Sequence, residues 1–68
     1  MKVRIKTENI RKILARKNLS QNWLAFRTRT TSGYMSQMIT GKRNPSPQMR
    51  NRILQVLKDC EFEDLFRL

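Results

Sequence analysis

The large apolar residues of this chain come in short clusters at helical spacing, and no cluster runs on into the next. Ile10, Ile13 and Leu14 stand at i, i+3, i+4; so do Met35, Met38 and Ile39, and so do Phe62, Leu65 and Phe66. Met49, Ile53, Val56 and Leu57 keep the same period, with Cys60 following. Such spacing lays apolar side chains along one face of a helix. Stop signals separate the clusters. Asn18 suits the left-handed conformation that ends a helix. Arg29-Thr30-Thr31 is polar and β-branched, Gly41 follows the third cluster, and Pro45 and Pro47 forbid a helix through KRNPSP. A chain built this way reaches a core by laying several short helices against one another. At 68 residues it is expected to be a single domain spanning 1–68. A domain of that size buries a modest fraction of its surface and leaves little room for a deep catalytic pocket.

Five helices are expected, in an all-α miniature bundle. The first runs over about 7–17, with Thr7 as N-cap. The second runs over about 21–28 behind Ser20, whose hydroxyl can accept from an orphan amide, with Leu24 and Ala25 inward. The third covers about 32–40, capped by Thr31 and stopped by Gly41. The fourth covers about 47–59 and has the clearest start, an N-cap serine, Ser46, with proline at the first helical position. A short acidic helix closes the chain within 61–68; Glu61, Glu63 and Asp64 crowd its first turn, where the helix dipole favours acids. Only Met1 to Lys6 alternates with a period of two, and it is expected to be a basic arm or a lone extended segment.

Charge narrows the partner. Lys and Arg number 15 against 5 Asp and Glu, for a net charge of +10. The division is uneven: residues 1–58 hold 14 of the cations and one acid, Glu8, while residues 59–68 hold Asp59, Glu61, Glu63 and Asp64 against Arg67. A basic body with an acidic end points to a polyanion, double-stranded nucleic acid before an anionic membrane surface. With one cysteine and no histidine, neither a disulfide framework nor a Cys/His zinc site can form within one chain. A lone Cys60 fits a reducing cytoplasm. No apolar run approaches the roughly 18 residues of a membrane span, and MKVRIK leads into no apolar segment of the signal-peptide kind. The clustered carboxylates lie on the terminal turn, and no Gly-rich phosphate loop occurs. Catalysis, a cofactor and a small-molecule ligand are not expected.

Residues 20–41 have the layout of a helix-turn-helix: a short helix, a short turn, a second short helix. Ala25 is small where the second helix would cross the first, and Met35 and Met38 would pin that helix down. Ser32, Gly33, Tyr34, Ser36, Gln37 and Thr40 are left to face outward. A major groove accepts one such helix and offers it donors, acceptors and thymine methyls. Gln37 can pair with adenine, Ser32 and Ser36 are short donors, Tyr34 can stack or reach a phosphate, and Gly33 permits close approach. Lys42 and Arg43 would meet phosphate, as could Arg27 and Arg29. The free amides of the second helix, opening at Ser20 and Gln21, also suit a phosphate. Arg50 and Arg52 on the fourth helix are expected in solvent.

The stretch LSQNWLAFRTRTTSGYMSQMITGKRNPS resembles the helix-turn-helix of Cro and phage repressors, the XRE family. The resemblance rests on Leu19-Ser20-Gln21, Leu24-Ala25, Thr31, Met35 with Met38, and Gly41-Lys42-Arg43-Asn44-Pro45-Ser46. It extends to Phe62-Glu63-Asp64-Leu65-Phe66 and covers about residues 7–66. It implies a lambda-repressor-like fold and a non-catalytic, sequence-specific regulator of transcription, often a homodimer. By the same resemblance Thr31, Ser32, Gly33 and Gln37 would read bases with Tyr34 nearby, and Gln21, Lys42, Arg43 and Asn44 would hold phosphates. The chain departs from the family at four positions. Arg29 stands where glycine is usual in the turn, and Thr28 where a large aliphatic is usual, which leaves the register of the second helix open. Trp23 and Phe26 stand at positions the family leaves polar. A shifted helix would bury them; an unshifted one would present an aromatic patch, as in an antitoxin-like or other interaction subunit that holds a protein partner through this patch and the acidic C-terminal helix with Phe62 and Phe66.

Overall fold

A computed structural model describes residues 2–68; Met1, the first residue of the expected arm, lies outside them. The order is β1 (Arg4–Ile5), α1 (Thr7–Arg16), α2 (Gln21–Arg27), α3 (Ser32–Ile39), α4 (Pro47–Val56), α5 (Phe62–Leu65) and β2 (Phe66–Arg67). The domain is small and mostly helical, with five helices and one two-stranded ribbon. Among the described residues no helix is long and apolar enough to cross a membrane.

Each helix start follows its capping chemistry. Ser20 Oγ accepts from the Trp23 amide at 2.9 Å, Thr31 Oγ1 from Tyr34 at 3.1 Å and Ser46 Oγ from Met49 at 3.1 Å. Each bond satisfies one of the four amides that a helix start leaves without an internal partner. Thr7 is a correction. It is the first residue inside α1, Lys6 occupies the cap position without a side-chain bond, and the Thr7 hydroxyl instead donates to the Ile39 carbonyl at the end of α3.

The ends of α1, α2 and α3 share one geometry. Asn18 (φ 57°), Arg29 (φ 62°) and Gly41 (φ 86°) are left-handed. Behind each, two amides turn back onto the last turn: Asn18 to Ala15 and Leu19 to Leu14, Arg29 to Phe26 and Thr30 to Ala25, Gly41 to Met38 and Lys42 to Gln37. This is the paired C-terminal closure known as the Schellman motif. The second helix is therefore not displaced by the missing glycine; Arg29 takes the left-handed backbone itself. Thr28, where the resemblance leads one to expect an aliphatic, lies in the core. It is fully buried, and its hydroxyl donates to the Leu24 carbonyl at 2.7 Å, so no polar group is left unpaired.

A left-handed arginine is strained by about 1–2 kcal/mol, while glycine at that position would add freedom to the unfolded chain. Arg29→Gly is expected to stabilise the fold by about 1 kcal/mol net, raising the thermal midpoint by about 4–8 °C. A lower midpoint in a calorimetric melt would contradict this turn.

The core gathers Ile10, Leu14, Leu24, Ala25, Met35, Met38, Ile39, Met49, Ile53, Leu57 and Leu65, joined by Val3, Ile5 and Phe66. The last three come from the ribbon. Residues 2–6 are thus no free arm: Arg4 pairs with Arg67 and Ile5 with Phe66, antiparallel, and Val3 and Ile5 are buried. The terminal helix is also shorter than expected. It ends at Leu65, and Phe66 turns to extended backbone, which aims its ring into the core beside Phe62, centroids 5.1 Å apart. The fourth helix stops at Val56 rather than 59, leaving Val56 and Cys60 only half-buried. Lys6 fastens the closure: its amide donates to Leu65 O at 2.7 Å and its ammonium to Glu63 O at 2.6 Å. Lys17 pairs with Asp59 at 2.7 Å, and that hydrogen bond holds the exposed carboxyl below its ordinary pKa. Burial pushes the Cys60 thiol up, so it stays protonated near neutrality.

Candidate functional site

Helices α2 and α3 make the most extensive contact between elements, joined by Thr28–Thr31. α3 is eight residues, about 12 Å long. Met35, Met38 and Ile39 are fully buried and fix which side of it is outermost. At 3.6 residues per turn, Gly33 and Gln37 fall one turn apart on the opposite side. Gly33 and Gln37 are both exposed. Ser32 and Thr31 are exposed at the start of the same helix. Tyr34 is half-buried, and so is Ser36, which the spacing alone leaves to face outward. Thr40 is exposed, yet its hydroxyl donates back to Ser36 O at 2.8 Å, which ties it to the helix.

The outer groups differ in what they can offer a ligand. Thr31 Oγ1 and Ser20 Oγ each accept a helix amide, which leaves each hydroxyl hydrogen free to donate outward. The Gln37 side-chain amide has no intramolecular partner among the described residues, so it keeps two donors and an acceptor at the centre of the face. A Cβ placed on Gly33 would meet nothing within 4 Å. The fold itself therefore gives no reason for glycine there, although glycine costs a helix about 1 kcal/mol relative to alanine.

The cations beyond α3 are held to it by backbone. Lys42 and Arg43 both donate their amides to the Gln37 carbonyl, at 2.8 and 3.1 Å. The Arg43 guanidinium lies over the Tyr34 ring, 5.6 Å from its centroid, a favourable placement for a cation. Gln37, Tyr34, Lys42 and Arg43 are thereby drawn together at one end of α3. Asn44 is exposed in the loop that follows. Gln21 is half-buried at the first position of α2, and Ser20 precedes it. Arg29 stands apart from Lys42 and Arg43: it lines a cleft between α2 and α4 with Arg27, Arg52 and Lys58.

No acid occurs between residues 9 and 58; Glu8 comes near the end of α3, where it lines a cleft with Thr40 and Gly41, and the residues that follow α3 in the chain add only the cations Lys42 and Arg43. Such a surface attracts anions and presents a row of short polar groups to whatever they carry. Among the described residues no three acids, cysteines or histidines come together as a metal site would require. Phe26 is 78% exposed, so the shifted helix that would have buried it is not the one formed. Trp23 is half-buried and carries Arg27 at 5.5 Å from its ring. Sequence spacing placed the α3 face; it missed the Arg43–Tyr34 stack and the anchoring of Lys42 and Arg43 on Gln37 O. Only Gly41, by signalling a left-handed closure, hinted at that anchoring.

Comparison of the chain with family models, with curated proteins and with solved structures found no match.

Proposed function

We propose that this protein is a sequence-specific DNA-binding regulator of the Cro and phage-repressor kind, in which α2 and α3 act as a helix-turn-helix and α3 reads the major groove. The observation that carries the reading is the α3 face: Ser32, Gly33 and Gln37 unengaged, opposite a fully buried edge and bordered by Lys42 and Arg43. A helix of this width fits a groove about 12 Å across. Gln37 would pair with an adenine edge, Thr31 and Ser32 would donate, and Gly33 would let backbone approach. Lys42, Arg43, Asn44, Gln21 and Ser20 would hold phosphates, which sets register without reading sequence. No cofactor or chemical step is involved.

Selection of bound sites from random DNA tests this directly. A consensus is expected, with two half-sites about one helical turn apart if the protein binds as a homodimer. Affinity should fall with salt at a slope of about 0.9 per phosphate neutralised. A pool that emerges without sequence enrichment would end the proposal.

The exposure of Phe26 favours a second reading, in which the protein is an interaction subunit that docks a partner through α2. Sedimentation should then show self-association or a stable complex that Phe26→Ser abolishes while the melting curve stays put, since an exposed side chain contributes little to folding. A parent that stays monomeric and recovers no stoichiometric partner speaks against it.

A further inference from the structure

Four cations converge on an open cleft of about 690 Å³ between α2 and α4, away from the outer face of α3. Arg27 comes from the last turn of α2, Arg29 from the residue that closes it, Arg52 from the middle of α4, and Lys58 from just beyond α4. No acid lines the cleft. The one ion pair among the described residues, Lys17–Asp59, lies elsewhere, and none of the four side chains donates a hydrogen bond within the described residues. Arg27 alone has a neighbour for its charge, the face of Trp23.

The ordinary account of basic residues at helix ends covers part of this. Arg27 and Lys58 lie near the C-terminal ends of α2 and α4, where a cation complements the dipole. It does not cover Arg52, which is mid-helix and half-buried. It covers Arg29 still less, because that residue adopts a backbone strained for any side chain. Both cations also add like charge to a cleft that already holds Arg27 and Lys58. The folded chain alone would be better served by glycine at 29 and by a neutral residue at 52.

We propose that this cleft is an anion site, built to take two or more closely spaced phosphates. Guanidinium groups at Arg27, Arg29 and Arg52 present paired donors matched to phosphate oxygens, and Lys58 adds a point charge at the rim. The phosphates could be joined in a small polyphosphate or strung along a nucleic-acid strand held on the side away from α3. The site is independent of sequence reading by α3.

The probes are inorganic tripolyphosphate and a short duplex of arbitrary sequence, titrated at low salt into the full chain and followed by amide and guanidinium NMR shifts. Tripolyphosphate is expected to saturate at one equivalent, with shifts centred on Arg27, Arg29, Arg52 and Lys58. Arg29→Gly, which should fold at least as well as the parent, and the pair Arg52→Gln with Lys58→Gln should each weaken binding by about tenfold or more. Lys42→Gln with Arg43→Gln, which stand outside the cleft, should leave tripolyphosphate binding at the cleft unchanged. If the cleft variants weaken duplex binding and leave tripolyphosphate binding alone, the natural ligand is a strand; if the reverse, it is a small polyphosphate. Shifts spread evenly over all cations, or affinities for both probes that the cleft variants do not change, would overturn the site. Neither result bears on whether α3 selects a DNA sequence.

Discussion

Phe66→Ala is expected to unfold much of the population, lowering stability by about 3–5 kcal/mol, the usual range for removing a buried aromatic ring. A domain of this size carries roughly 3–10 kcal/mol in total, so the loss is a large share of it. The ring is 2% exposed and packs beside Phe62. Its backbone pairs with Ile5, so the cavity would open where the two ends of the chain meet. Val3 and Ile5 would lose their cover together with the pairing partner. Leu68→Ser, two residues on, should be close to neutral because that side chain is 75% exposed. Circular dichroism melts of the two variants decide the matter. A Phe66→Ala midpoint within a few degrees of the parent would mean that the ribbon is not part of the core.

This ribbon is also where the sequence was least legible. Alternation from Met1 to Lys6 was visible, but a strand of two residues has no local signature of its partner. Arg4–Ile5 found one at the far end of the chain, at Phe66–Arg67. Phe62, Leu65 and Phe66 carry helical spacing, and the period alone could not show that the helix ends after Leu65. The Lys6 ammonium and amide, bound to Glu63 and Leu65 carbonyls, close that last turn from outside it. Where the information was local, reading was straightforward. Ser20, Thr31 and Ser46 cap as their chemistry demands, and the apolar residues of α3 face inward. The turn between α2 and α3 lay between these cases. Arg29 broke the local rule, and burial of Leu24, Ala25 and Thr28 outweighed its strain. The outer face of α3 could be drawn from sequence because it is the complement of a buried triplet. Phe26 could not be placed so, because its exposure depends on the helix register that Thr28 and Arg29 settle.

Gln37→Ala is expected to weaken binding to the selected DNA site by about 1–3 kcal/mol, roughly five- to 150-fold, while relaxing preference at one base pair. Its side-chain amide has no intramolecular partner among the described residues and sits opposite the buried edge of α3. Folding should be untouched or slightly improved, since alanine is the better helix former. The backbone carbonyl that anchors Lys42 and Arg43 is retained in the variant. Lys42→Gln should behave differently. It should weaken all sequences alike and lower the salt slope by about 0.9, as expected when the protein neutralises one phosphate fewer. Gly33→Ala supplies the third arm. Its methyl meets nothing within the protein, so the melting point should hold or rise while DNA affinity drops, because the added group stands where backbone would approach the groove. Binding isotherms at several salt concentrations, on the consensus and on single-base variants of it, separate the three outcomes. If Gln37→Ala and Lys42→Gln weaken binding in the same sequence-independent way, α3 is touching the backbone only and does not read bases. If Gly33→Ala binds as tightly as the parent, this helix does not enter a groove.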